Sequence, residues 1–515
     1  MDALSGLFYG LSVALRPENL LFVFAGCFLG TLIGVLPGIG PVGAISILLP
    51  LTFQLEPTGA MIMLAGIYYG VMYGGSTTSI LVNVPGETAS VVTCLDGYQM
   101  ARQGRAGPAL GIAAFGSFFA GTAGLIGLQL MANPLARIAL KFGPPEYFAL
   151  IMLGLSLIAY LSHGSKLKAC IMALVGLILS GVGLDPITSK ERMTFGMLNL
   201  FEGIGVAPLA MGLFGVAEVF RNLETLSSGS RVTARITKLF PSREDWLQAR
   251  WAVVRGTVIG FLLGILPGGG PVLATFVAYG VEKRMAKDPE RLGRGAIEGV
   301  ASPESANNAA ASTSFIPFLT LGIPPNVVLA VLLGAFMIHG IVPGPLLIRD
   351  HPAVFWGLVG SMYIGNVVLV ILNLPLIPLW VQVLRIPGEI LYPLVLLFCL
   401  LGAYGIRNNV FDVAVMIAFG VVGYLCRKNG FEGAPLILSF VLGPLFEVNF
   451  RRSLLMSQGS FSIFFTRPIA LVAMILSLIL LMLPFTRIKG PASNPSRSGK
   501  TARIPARPKK MKKAV

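Results

Sequence analysis

Charge is scarce in this sequence: 12% of its 515 residues are Asp, Glu, Lys or Arg, against roughly 25% in an average soluble protein. With 55% hydrophobic residues and a mean hydropathy of +0.79, that excludes an ordinary soluble enzyme. Histidine is rarer still. His163, His339 and His351 sit near segment ends without ligand spacing, so a metal centre is not expected. The five cysteines, Cys27, Cys94, Cys170, Cys399 and Cys426, show neither paired nor metal-ligand spacing and read as packing residues. Enzyme signatures are missing too, with no H-E-x-x-H, no G-x-S-x-G and no catalytic carboxylate pair. The S-G-K-T at Ser498 to Thr501 has Asn494 where a phosphate loop needs its first glycine. The expectation is a protein that is not an enzyme and carries no cofactor beyond a sodium ion.

What the chain has in abundance is long apolar runs. Leu110 to Met131, Phe148 to Leu161, Ala169 to Leu184, Ala353 to Val381, Ile390 to Tyr404 and Ile469 to Leu483 are of the kind a bilayer-spanning helix of about 20 residues requires. On the order of a dozen membrane segments follow, and the fold class is an all-α polytopic membrane protein. A membrane barrel would show weak alternating segments instead. The net charge of +16 is largely local, because residues 487–515 carry ten Lys or Arg and no acid. A basic tail after an apolar helix belongs in the cytoplasm and attracts anionic membrane lipid, whereas nucleic acid is not expected as a partner. No basic region precedes the first apolar run, so Leu20 onward is expected to stay in the membrane.

The chain also repeats itself. G-T-L-I-G-V-L-P-G-I-G-P-V at Gly30 to Val42 returns as G-F-L-L-G-I-L-P-G-G-G-P-V at Gly260 to Val272. Further on, Gly176 returns as Gly420, and Ala207-Pro208-Leu209 with Glu218 as Ala434-Pro435-Leu436 with Glu447. These matches divide the chain into a first membrane repeat over 1–235 ending in a basic connector, a second over 236–467, an extra transmembrane helix over 468–486 and a basic disordered tail over 487–515. The link after the first motif is Gln54-Leu55-Glu56-Pro57, while its counterpart from Glu282 to Arg294 holds five Lys or Arg. Opposite charge suggests opposite sides and hence inverted repeats, a signature of secondary transporters.

Within each half, L-P-G-I-G-P and L-P-G-G-G-P cannot continue as helix, since proline removes a donor and glycine frees the backbone. Irregular backbone at membrane depth lines protein or a cavity, so these tips are either re-entrant walls of a binding site or kinks between close-packed helices. A polar island follows each tip, expected as a second broken element: Tyr68 to Glu87, and Glu298 to Pro317 running on to Pro324. Ser76, Thr77, Thr78, Ser79, Asn83, Asn307, Asn308, Ser312, Thr313 and Ser314 supply donors and acceptors without permanent charge. Such groups suit an anion that binds and leaves, or a sodium ion. Glu304 is either a functional intramembrane carboxylate or a first-turn helix residue. Glu146 and Glu389 read as capping residues, and Asp96 and Arg102 as solvated loop positions.

These motifs, with G-V-A-S-P-E-S-A-N-N-A-A-A and T-L-G-I-P, resemble the large membrane subunit of the tripartite tricarboxylate transporters, the TctA family, over nearly the whole chain to about Phe485. The resemblance implies a bacterial inner-membrane importer of small organic carboxylates of tricarboxylate or citrate type, driven by a sodium or proton gradient. It also implies a small multi-helix membrane subunit and a periplasmic substrate-binding protein as partners, and an elevator-like movement. Carried onto this chain, the family motifs mark Gly38, Gly40, Gly74, Gly75, Ser76, Thr77, Thr78, Asn83 and Gly86, then Gly268, Gly269, Glu304, Asn307, Asn308 and Gly322. Substrate contact is expected from the glycines at 38, 40, 74, 75, 268 and 269 with Ser76 to Thr78, Asn83, Asn307, Asn308, Ser312 and Thr313. Ser79, Glu304 and Gly322 are the candidates for cation coupling. The family pattern implies a glycine pair where Ser312-Thr313 stand, so the second pocket differs. The alternative function is a membrane channel or scaffold subunit without coupled transport.

Overall fold

The computed structural model describes residues 2–36, 39–161, 165–224, 239–384 and 388–486. The tail 487–515, the middle of the basic connector and Gly38 lie outside the described residues. The chain is mostly helical, and the one sheet among the described residues is a two-residue antiparallel pair, Gly183–Leu184 with Glu191–Arg192. Five described helices are long and apolar enough to cross a membrane alone: Pro17–Val35, Ala106–Ala139, Pro352–Asn373, Val410–Lys428 and Gly433–Met456. Six further apolar helices are shorter, among them Val327–Ile338 and Pro468–Met482. Among the described residues the apolar runs thus form five long helices and six shorter ones.

Both L-P-G motifs end a helix. Pro17–Val35 stops before the first motif and Gly40–Leu48 starts after it; Arg243–Ile265 stops before the second and Gly270–Met285 starts after it. Gly40 and Gly270 open the new helices at φ +65° and +58°, a region that glycine reaches without steric penalty.

Each polar island breaks its helix as expected, but near its far end and not among the hydroxyls. Pro57–Val82 runs straight through Gly74 to Ser79, and Glu298–Thr313 runs through Pro303 and Asn307. The hydroxyls turn back onto their own helices: Ser79 donates to the Gly75 carbonyl at 2.9 Å, Thr313 to Ala309 at 2.9 Å and Ser314 to Ala310 at 2.6 Å. That bond satisfies the side chain without unwinding the backbone. The breaks fall later and in the same way in each half. Pro57–Val82 is closed by Asn83 in the left-handed region at φ +59°, and Phe315–Leu321 by Gly322 at φ +71°, each followed by an apolar residue and proline.

Two bundles of helices result. In one, the Pro17 helix lies along the Pro57 helix, with Gly26, Gly30 and Gly34 against the backbone of Met63, Ile67 and Val71. The Arg243 helix lies along the Glu298 helix with the same spacing, placing Gly256, Gly260 and Gly264 against Ser302, Ala306 and Ala310. Small residues one turn apart let the helix axes approach closely. The long Ala106–Ala139 helix packs across both pairs, and the Pro352–Asn373 helix packs on the first pair and on the Ala106 helix.

The other bundle is built from Pro144–Leu161, Lys166–Ser180 and residues 206–224 against Gly388–Arg407, Val410–Lys428 and Gly433–Met456. Its contacts are reciprocal. Gly176 meets Leu436 and Ser439, while Gly420 meets Gly212 and Val216. Arg427 pairs with Glu218, while Arg192 pairs with Glu447 at 2.7 Å. Glu146 takes the Gly143 N–H at 2.8 Å and Arg467 at 3.2 Å, as a helix-start carboxylate should. Glu389 occupies the first turn of its own helix.

Candidate functional site

The two polar islands meet because the Pro57 and Glu298 helices, one from each half, come together beside the Val91–Arg102 helix and the Ala106 helix. Each of three segments contributes two residues spaced three apart, which places them on one helical face: Ser76 and Ser79, Ser90 and Thr93, Glu304 and Asn307. Together they form two stacked polar rungs.

In the first rung Glu304 accepts hydrogen bonds from the Ser76 hydroxyl at 2.5 Å and from the Thr93 hydroxyl. Glu304 is 1% exposed and stands in the second turn of its helix. That excludes the first-turn reading of this residue. In the second rung Glu87 accepts from Asn307 Nδ2 at 3.2 Å and from the Ala89 N–H at 2.6 Å, and the Ser79 and Ser90 hydroxyl oxygens lie 2.8 Å apart. Gly75 leaves the space that Glu87 fills, since a Cβ there would lie 2.8 Å from the Glu87 Cγ.

Asn308 extends the first rung by donating to Ser117 Oγ at 2.7 Å and to the Glu304 carbonyl at 3.3 Å. Beside it, Tyr73, Ser76, Thr77, Ser117 and Asn373 line a cavity of about 10 Å³, space for roughly one water molecule. Among the described residues the buried oxygens Asn307 Oδ1, Asn308 Oδ1 and Ser305 Oγ have no hydrogen-bond partner, and unpartnered buried acceptors are uncommon in native proteins.

At the far end of the same helix pair, Asn326 caps the Val327 helix through Leu329 N at 3.0 Å and donates to Ser314 at 3.1 Å and to the Tyr68 hydroxyl at 3.5 Å. The second tip closes onto this end, with Gly268 N donating to the Pro325 carbonyl at 2.8 Å. The first tip meets the other island, as Thr78 donates to the Val35 carbonyl at 2.6 Å.

The sequence-predicted residues therefore divide. Ser76, Ser79, Glu304, Asn307 and Asn308 share the rungs, and Thr77 lines the cavity. Gly74, Gly75 and Gly86 pack backbone against backbone or make room for Glu87, while Gly40 faces open space. Gly269 turns back onto Leu266, donating at 2.9 Å. Asn83 is exposed, and both it and Gly322 close helices. Ser312 is buried against Gly124, and Thr313 is spent on its own helix.

Glu87, Ser90, Thr93, Ser117 and Asn326 were missed. The spacing of Ser90 and Thr93 on one face was the available signal for that pair. Asp96, expected in a solvated loop, is fully buried on the Val91 helix, one turn past Thr93. It accepts from Gly293 N at 2.9 Å, Gly295 N and Ala296 N at 2.8 Å and the Tyr279 hydroxyl at 2.9 Å. Polarity in the sequence marks this residue, but its partners lie some two hundred positions away.

Residues 20–438 match the model of a family described as the Tripartite tricarboxylate transporter TctA family. Two proteins of Agrobacterium vitis are similar over long stretches. A 52.8 kDa protein in the TAR-I ttuC' 3' region is 54% identical over 492 residues, covering 95% of this chain and 98% of the relative. A protein in the TAR-II ttuC' 3' region is 55% identical over 233 residues, covering 45% of this chain and 96% of the relative. No solved structure matches the chain.

Proposed function

The chain belongs to the tripartite tricarboxylate transporter TctA family and is a multi-pass membrane protein of transporter type, and from that premise we propose that it is the large subunit of a binding-protein-dependent importer of small organic carboxylates. The observation that carries this reading is the pair of stacked rungs, which gathers hydroxyls, amides and carboxylates from both halves at one buried seam. Ser76, Thr77, Asn307 and Asn308 hold the substrate by donors without permanent charge, so that it binds and still leaves. Ser79, Glu304 and Gly322 serve the coupling ion, a sodium ion or proton.

In this proposal the two halves are inverted repeats. Three observations support it: the equal spacing of the glycine faces, the matching left-handed helix ends and the reciprocal Arg–Glu pairs. The bundle holding the rungs moves as an elevator past the bundle holding those pairs, which serves as scaffold. The protein sits in a bacterial inner membrane with its basic tail in the cytoplasm. A small membrane subunit and a periplasmic binding protein complete the assembly.

The test is uptake of labelled citrate and a panel of other carboxylates into proteoliposomes holding the chain with its membrane partner, with and without binding protein and an imposed sodium or proton gradient. Accumulation that needs both is the expected result and identifies the substrate. Downhill flux indifferent to both would replace the importer with a channel. Asn307→Ala and Thr77→Ala should each abolish uptake while leaving membrane insertion intact.

A further inference from the structure

Buried acids in this chain are matched by positive charge almost everywhere. Arg255 holds Glu282, Arg192 and Arg451 hold Asp185, Arg427 holds Glu218, Arg467 holds Glu146 and Arg105 holds Asp245. Asp96 is compensated by three backbone N–H groups and a phenol.

Glu87 and Glu304 are different. Both are buried, and their hydrogen-bond partners are neutral: two hydroxyls for Glu304, one amide and one backbone N–H for Glu87. Among the described residues no Lys, Arg or His pairs with either carboxylate. The titratable groups facing them are each other, Tyr68, Tyr73 and Cys94, none of which carries positive charge. A buried carboxylate without a counter-charge is strongly disfavoured. An anionic substrate arriving at Ser76 and Thr77 would add like charge to two sites already negative.

The same seam holds surplus acceptors. Among the described residues Asn307 Oδ1, Asn308 Oδ1 and Ser305 Oγ are buried and have no hydrogen-bond partner, and the Asn307 amide abuts the Glu87 carboxylate. Turning that amide over exchanges its donor for its acceptor, and then the Asn307 oxygen faces a Glu87 carboxylate oxygen. Oxygen ligands with one carboxylate are what a small monovalent cation takes.

We propose that Glu87 and Glu304 are two separate cation sites, one in each rung, each neutralised by one sodium ion or one proton, so that at least two monovalent cations accompany each substrate. This rests on the transporter reading above and adds to it a second coupling carboxylate and a stoichiometry.

The full chain, purified in detergent, is titrated with radiolabelled sodium at fixed pH, and proton release on adding unlabelled sodium is followed in weakly buffered solution. Two cations bound per chain, counted as sodium in the titration or as protons taken up on acidification, fall to one in Glu87→Gln, to one in Glu304→Gln and to none in the double variant. Sodium binding without proton release identifies sodium; proton uptake on acidification that sodium does not displace identifies protons. Asn307→Ala, which keeps both carboxylates, leaves the count at two and weakens one site by about tenfold, the worth of one hydrogen-bonding group. That variant also keeps the proposal open to refutation if a glutamine variant fails to fold. A count of one in the unmodified chain, or an unchanged count in either glutamine variant, overturns the proposal. Uptake driven by a single cation would leave the importer standing and the second site refuted. Binding of two cations by a protein whose uptake ignores both gradients would do the reverse.

Discussion

Replacing Asp96 tests the packing that brings the two halves into register. Ser90, Thr93 and Asp96 lie one turn apart on one face of the chain at the start of the Val91 helix, and Asp96 ties that face to the loop before the Glu298 helix. Asp96→Ala strands four donors. Ala296 is buried, whereas Gly293 is exposed and Gly295 and Tyr279 are half-buried, so water recovers part of the loss. At about 1 kcal/mol for each donor that reaches water and about 2 kcal/mol for the buried one, the variant loses about 5 kcal/mol. Asp96→Asn keeps the oxygen that accepts from Gly295 and Ala296 and gives up mainly the charge assistance, about 1–2 kcal/mol. The assay is thermal unfolding in detergent, read by a thiol-reactive dye as the buried Cys27 and Cys399 become accessible. The expected order of melting is wild type above Asp96→Asn above Asp96→Ala, with the larger step at alanine. An alanine variant that melts with the wild type would show that Asp96 does not anchor this face.

The remaining predictions concern packing and charge. Gly260→Val places a side chain where a Cβ would already lie 2.8 Å from the Ala306 Cα, so yield of folded protein in size-exclusion chromatography should collapse; Gly280→Ala, with nothing within 4 Å, should melt slightly higher, by about 0.5–1 kcal/mol of helix propensity. Arg192→Ala removes the shared partner of Asp185 and Glu447 and should cost about 2 kcal/mol in the same melt, whereas Arg294→Ala, in an exposed pair with Glu290, should change nothing measurable. Gly75→Ala pushes on the Glu87 Cγ from 2.8 Å and should lower carboxylate uptake far more than it lowers melting temperature.

Local chemistry was legible in the sequence, and long-range pairing was not. The two L-P-G breaks could be read because proline and glycine act on their own backbone wherever the rest of the chain lies. The island residues could be read because hydroxyls and amides stand out in apolar surroundings. The same signal misled in part. Density of Ser, Thr and Gly suggested broken elements at Tyr68 to Glu87 and Glu298 to Pro324, and the breaks lie inside them at Asn83 and Gly322, yet not at the hydroxyls, which bond to carbonyls one turn back. Polarity around Asp96 suggested a solvated loop, yet its acceptors meet N–H groups from residues 293 to 296. Glu87 and Thr93 gave no sign of their role, since the first is completed by Asn307 and the second by Glu304, and nothing in either local segment encodes that meeting.

What the two ends of the central helix pair share, and where they differ, bears on how such a seam handles charge. Glu87 and Asn326 stand 239 residues apart in the chain, and so do Tyr68 and Asn307. Glu87 meets Asn307 at one end and Asn326 meets Tyr68 at the other, so each contact is the exchanged image of its opposite. Each member also does the same local work: Glu87 takes the Ala89 N–H and Asn326 the Leu329 N–H just after a left-handed helix end and a proline. The backbone plan is therefore common to both ends while the chemistry is not. One end carries a carboxylate against an amide, the other an amide against a phenol. Only the first can change its charge by taking a cation. A shared backbone plan with a carboxylate at one end only gives the seam an electrical direction that two identical ends would lack. Glu87→Gln, which makes both ends neutral, should for that reason abolish the dependence of uptake on the imposed gradient through this site while leaving the packing of the two halves unchanged. Proteoliposome uptake and melting, measured on the same preparation, separate the two effects. A variant that keeps the full gradient dependence would show that the asymmetry of the two ends has no part in coupling.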